Sequence, residues 1–204
     1  RQPSDRLKRI ITEFIGLGGK NLCLTGGEPL THPDWLEILR FSCDQSDLHE
    51  VCMQTNATLI HEDIIRDLLS LPPDKFLLQV SLDGATPGTN DRIRGKGRFD
   101  AALKALHMLS AAGLGPQIRI AFTEMRHNFD ELTGVLDLVR DLGLRDMVSG
   151  TLVKGGRSLG AGWIVLPEVS QVVALVERFR NDPLFRDTYE KKGNISAIEW
   201  FKGR

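Results

Sequence analysis

The stretch Asn21-Leu22-Cys23-Leu24-Thr25-Gly26-Gly27-Glu28-Pro29-Leu30 runs from an apolar strand straight into two glycines, a carboxylate and a proline. Glycine removes the Cβ that would keep a ligand away from the backbone, and Pro29 fixes φ, so that Glu28 and the carbonyls before it are held in place. A loop of this make suits a cationic or amine-bearing ligand, although the same residues also make a plain turn. Two further strand ends bear on the choice. Glu50 to Gln54 reads as a strand ending in Thr55-Asn56, and Phe76 to Leu82 as a strand ending in Ser81-Leu82-Asp83-Gly84.

Each strand is followed by a helical pattern: residues 34–46, with Trp35, Ile38, Leu39 and Phe41 apolar, then 62–71, then 99–112. Another helix, from Asp5 to Leu17, precedes the first strand. The second half keeps the rhythm. A strand at 117–123 carries Arg119 between Ile118 and Ile120; Asn128 caps a helix that runs to Leu142 and stops at Gly143; a strand follows at 146–153. After Pro167 comes a helix at 168–180, broken at Asn181-Asp182-Pro183. Strands alternating with helices predict parallel βα units. Their right-handed crossovers put every strand's C-terminal end on one rim, where ligand sites sit. The expected fold is α/β, a partial parallel barrel of about five βα units, with strands at 20–25, 50–55, 76–82, 117–123 and 146–153.

Composition sets the outer limits. With 204 residues, 41% hydrophobic and 26% charged, the chain can bury one substantial core but is shorter than an eight-unit barrel of about 250 residues. A net charge of −1, from 26 basic and 27 acidic residues, leaves no electrostatic footprint for nucleic acid or an anionic membrane. The longest apolar runs have strand length, so no transmembrane span is expected. Cys23, Cys43 and Cys52 match no cluster or zinc spacing; each reads as a small buried hydrophobe, and three unpatterned cysteines fit a reducing cytoplasm.

Taken together, the strand-end motifs resemble those of the radical S-adenosylmethionine (SAM) superfamily, in the branch with a cysteine-rich (SPASM-type) C-terminal domain. Thr25-Gly26-Gly27-Glu28-Pro29-Leu30 resembles the loop that holds the amino group of SAM, and Gln54-Thr55-Asn56 the family's third-strand motif. Val80-Ser81-Leu82-Asp83-Gly84, with Asp91-Arg92-Ile93-Arg94-Gly95 behind it, resembles the fourth strand and its loop. Lys154-Gly155-Gly156-Arg157-Ser158-Leu159-Gly160 is similar to the family's glycine-arginine loop. The likeness covers roughly residues 5 to 165, and several motifs in order are far more specific than any one.

One element departs from the pattern: the family's C-x3-C-x2-C, which holds a 4Fe-4S cluster, is not present, and the chain opens on Arg1. The expectation is a piece of a longer protein. It would comprise a barrel fragment over 1–165, lacking the first strand, and helices over 166–204 leading toward an auxiliary domain. The strand at Cys23 would then be an unprotected edge, open to pairing with a second copy.

The resemblance implies that SAM is bound by Gly26, Gly27, Glu28, Pro29, Thr55, Asn56, Ser81, Asp83, Arg119 and Leu152. Glu28 and nearby carbonyls would take the amine, Ser81 the ribose and Arg119 the carboxylate. It implies radical chemistry on a peptide or small-molecule substrate, with an electron donor to reduce the cluster; this chain alone, without a thiolate triad, is expected to be inactive. The residues themselves leave alternatives open. Gln79, Ser81 and Asp83 share one face; Asp83 is then either a buried carboxylate in need of a partner or part of an exposed turn. Arg119 meets either a ligand carboxylate or an internal acid, Asp83 or Glu28. Thr55-Asn56 equally opens the next helix, and Leu152 and Val153 equally serve as strand core. Arg92 and Arg94 either meet substrate or are solvated, and the five histidines stand at no metal-ligand spacing. Two other functions fit the same pattern. One is a barrel lyase or aldolase with Gly155-Gly156-Arg157 on a phosphate; the other is a cluster-free binding module.

Overall fold

The computed structural model describes residues 1–155 and 159–203. Its centre is one sheet of six strands: β1 (Asn21–Leu24), β2 (Glu50–Thr55), β3 (Phe76–Ser81), β4 (Ile118–Glu124), β5 (Asp146–Thr151) and β6 (Gly193–Asn194). Neighbours are parallel throughout, and their spatial order is their chain order. A doubly wound sheet reverses its strand order at a switch point. This one never doubles back, which is the progression of a barrel wall.

The helices are α1 (Ser4–Gly16), α2 (Trp35–Cys43), α3 (Glu62–Leu69), α4 (Pro87–Arg94), α5 (Arg98–Ala111), α6 (Leu132–Asp141), α7 (Val169–Asn181), α8 (Pro183–Lys192) and α9 (Ser196–Phe201). The five strands read from the sequence are all present, and the sixth was missed because two residues carry no apolar run. Its place is set by its flanks: Tyr189, Ile195 and Ile198 are at most 1% exposed and belong to the barrel's own core. Helix α4 was also missed. Pro87 starts it and Asn90 is its buried residue, so it shows no apolar stripe. The Asn-Asp-Pro sequence that ends α7 also starts α8, where the Asp182 carboxylate accepts from the Phe185 amide at 3.0 Å. Gly143 ends α6 as expected, at φ +63°, with the Leu144 amide returning to the Val139 carbonyl at 2.9 Å.

Alternation along the strands splits the sheet into two unlike faces. Toward the helices point Val51 and Met53, then Phe76, Leu78, Val80 and Leu82, then Ile118, Ile120 and Phe122, all in one cluster with Leu39, Leu68, Leu106, Leu109 and Leu136. Each of these side chains is 0–2% exposed, and such burial stabilises by roughly 1.5–3 kcal/mol per side chain. The opposite face carries Cys23, Gln54, Gln79, Ser81, Arg119 and Asp146, none of which belongs to that cluster. The core therefore lies between sheet and helices, and the other face mixes these polar groups with the buried Cys52 and Leu77. Among the described residues no helix is long and apolar enough to cross a membrane.

Candidate functional site

At the C-terminal rim the ends of β1, β2 and β3 surround a cavity of about 470 Å³, lined by Thr25, Gly26, Gly27 and Glu28, by Gln54, Thr55 and Asn56, and by Ser81 and Asp83. Ile93 and Arg94 from α4 and Arg98 from α5 close its far side. Seven of the ten residues expected to bind SAM are thus brought together.

The side chains that look most like ligands are largely occupied by the fold. Glu28 accepts the Thr55 hydroxyl at 2.7 Å and the Leu30 amide at 3.2 Å on one oxygen, and the Asn56 amide at 2.8 Å on the other. It ties the β1 loop to the end of β2, which leaves the backbone carbonyls of Gly26 and Gly27, rather than the carboxylate, as acceptors for an amine. A Cβ built on either glycine meets nothing within 4 Å, so this backbone faces open space. Asp83, 2% exposed, is a brace of the same kind. One oxygen accepts the Thr123 amide at 2.8 Å and the other the Arg94 guanidinium at 2.8 Å. The partner that a buried carboxylate requires is therefore an arginine of the same chain, and Asp83 is not an exposed turn residue.

Three polar residues that the sequence did not single out for the site hold the Asp83 loop. Asn90, fully buried, accepts the Asp83 amide at 3.0 Å. Asn128, also fully buried, was expected to cap a helix; instead it donates to the Asp83 carbonyl at 3.0 Å and the Thr123 carbonyl at 2.9 Å, and accepts the Met125 amide at 2.9 Å. Glu131 accepts the Ala85 amide at 2.7 Å and the Thr86 amide at 3.1 Å, with the Thr86 and Thr89 hydroxyls at 2.8 and 2.6 Å. Gly84 permits this crowding, because a Cβ there would stand 2.8 Å from the Asn90 nitrogen. A short amide or acid just beyond a strand end is the only trace these residues leave in sequence, and turns leave the same trace.

Asn56 folds its amide oxygen back onto the Thr58 amide at 2.9 Å, and Ala57 sits at φ +60°, the one positive φ outside glycine among the described residues. Such a local bond shapes the turn, while the rest of Asn56 remains at the cavity wall. Ser81 is 6% exposed and takes a 3.4 Å bond from the Gln54 amide; Thr25 donates to Gln54 at 3.1 Å.

The remaining expected residues lie elsewhere. Arg119 is the second residue of β4, toward the opposite end of the strand from the rim. It makes a two-pronged pair with Asp146, at 2.6 and 2.8 Å, which holds its guanidinium more firmly charged than usual. Arg145 and Glu50 join them at 3.4 to 3.6 Å. The internal pair expected with Asp83 or Glu28 is therefore made with Asp146, and Arg119 is not among the residues that line the rim cavity. Pro29 opens the short turn Pro29–Thr31 and lines a separate apolar cavity with Leu22, Leu24 and Trp35. Leu152 is half-buried and lines neither cavity. Of the phosphate loop, Gly156 and Arg157 lie outside the described residues.

Arg94 and Arg98 supply the positive charge of the cavity, and the Arg94 Nε is buried without a partner. Nearby, the Arg92 guanidinium lies 4.5 Å over the Trp163 ring, and His127 meets that ring edge-on at 5.2 Å. Burial, with Arg92 second, holds the His127 pKa below its ordinary value. The expectation of three buried cysteines needs a correction: Cys43 and Cys52 are buried, but Cys23 is exposed, because it points to the polar face of an edge strand.

A family model described as the radical SAM superfamily matches residues 2–123. Among relatives, an AdoMet-dependent heme synthase of Methanosarcina barkeri is 36% identical over 141 residues, covering 69% of this chain and 39% of its own length. The mycofactocin maturase MftC of Mycobacterium ulcerans is 31% identical over 175 residues, covering 85% of this chain and 43% of its own. The chain thus spans about two fifths of the length of these relatives. Among solved structures, Streptococcus suis SuiB bound to S-adenosylmethionine superposes with a TM-score of 0.71 at 16% identity, covering 95% of this chain and 41% of that one. At that identity the likeness speaks for the fold alone.

Proposed function

The chain belongs to the radical SAM superfamily, and from that premise we propose that it is the SAM-binding wall of an enzyme that acts by radical chemistry on a peptide or a cofactor precursor. The observation that carries the proposal is the convergence of three strand ends, Thr25-Gly26-Gly27, Gln54-Thr55-Asn56 and Ser81, on one polar cavity. About 470 Å³ falls within the range of small-molecule sites. Family membership implies reductive cleavage of SAM, for which a 4Fe-4S cluster would supply the electron.

These residues fit SAM. Its amine would meet the carbonyls of Gly26 and Gly27, its ribose the Ser81 hydroxyl and Asn56, and its carboxylate Arg94 and Arg98. Glu28 and Asp83 position those groups without touching the ligand. The residues do not fit the cluster: among the described residues, no three of His, Cys, Asp or Glu stand close enough to hold a metal ion. Heme synthase and maturase relatives support a small-molecule or peptide substrate, the radical chemistry calls for an external electron donor, and three unbridged cysteines fit a reducing cytoplasm.

Calorimetric titration of SAM tests the reading. Saturable binding is expected, weakened roughly 2- to 10-fold by Ser81→Ala, the equivalent of one neutral hydrogen bond of about 0.5–1.5 kcal/mol. A folded chain that takes up no SAM would refute it.

A further inference from the structure

Cys23 on β1 and Cys52 on β2 are direct partners in the strand register. Paired residues of neighbouring strands point to the same face, and the strands stand about 4.8 Å apart, within the roughly 4.4–6.8 Å Cα separation of a disulfide. Each thiol is the largest single influence on the other's ionisation. They form the layer directly beneath Thr25 and Gln54, which line the rim cavity. Cys23 is exposed and Cys52 buried. One sulfur can thus be attacked from solution while the other waits behind it.

The chemistry of the two sulfurs differs as the geometry suggests. Cys52 brings the Cys23 thiol down to about 7, against burial and the Glu50 carboxylate. Cys23, with burial, pushes Cys52 well up, and Arg119 only partly offsets it. Cys43, buried on α2, is raised to about 11. Cys23 is therefore more readily ionised than an ordinary thiol, and Cys52 less.

We propose that Cys23 and Cys52 are a reversible dithiol–disulfide site that reacts with small-molecule disulfides such as oxidised glutathione. The Cys23 thiolate attacks one sulfur of the reagent and expels one glutathione thiolate. Cys52 then gives its proton to that thiolate, and its sulfur attacks Cys23 Sγ, expelling the second glutathione. Two protein thiols are oxidised, one disulfide is reduced to two thiols, and β1 is pinned to β2 beneath the cavity.

The whole chain is incubated anaerobically with oxidised glutathione and read by intact mass and non-reducing peptide mapping. The expected product has lost two hydrogens, carries a Cys23–Cys52 peptide and reverts with dithiothreitol, while Cys43 stays free. Cys52→Ser stops at a glutathione adduct on Cys23, Cys23→Ser does not react, and alkylation of Cys23 in the parent chain has its midpoint below that of Cys43. A glutathione adduct that persists on the parent chain, a bridge that includes Cys43, or no reaction of the native chain overturns the proposal.

Discussion

Glu28→Gln separates a residue that braces the rim from one that holds ligand. The carboxylate accepts three bonds, from Thr55 and Leu30 on one oxygen and Asn56 on the other. A glutamine has one acceptor oxygen, and its amide group must face either the Asn56 amide or the Leu30 amide, donor against donor. At least one charge-assisted bond is lost, worth roughly 1.5–3 kcal/mol. At about 2–4 °C per kcal/mol for a chain of this size, Tm should fall by roughly 3–12 °C with no SAM present. SAM affinity should fall as well, because the Gly26–Gly27 carbonyls lose their anchor. Differential scanning calorimetry of the ligand-free chain, paired with SAM titration, distinguishes the roles. Weakened binding with an unchanged ligand-free Tm would make Glu28 a direct ligand and refute the brace.

Arg119→Ala should show the opposite split: loss of the Asp146 pair lowers Tm, while SAM affinity stays within about twofold, well under one decade per 1.4 kcal/mol. A tenfold loss of affinity would return Arg119 to the ligand site. His127 gives the pH dependence. Its folded pKa lies below the ordinary 6.5, so the unfolded chain binds more protons as pH falls past that value. Stability should therefore drop from about pH 6.5 downward until the lowered folded pKa is passed, and His127→Leu should flatten that part of the urea-unfolding profile. Equal slopes for the two proteins would show that His127 is not the group responsible.

The strand-helix rhythm and the rim motifs could be read from sequence because they are local: an apolar run, a glycine pair, a proline. Gly27, Thr55 and Ser81 followed from that reading. Arg119 did not, because a guanidinium in an apolar strand announces a partner without naming it, and Asp146 lies 27 residues away on the next strand. Asn128 was legible as a polar residue before a helix, yet its bond to Asp83 spans 45 residues. Cys23 sits in an apolar run whose exposure depends on which face lacks helices, and no period within four residues reveals that.

The braces of the rim also bear on when its loops can open. Ligand loops are usually drawn from the least stable parts of a protein and open on their own. Here the amides of Asn56, Asp83, Ala85 and Thr123 are donated to side chains rooted in other loops or elements. Their hydrogen exchange should therefore follow the opening of those partner elements, and the rim should hold one loop conformation for an incoming molecule more firmly than a loop closed by its own bonds would.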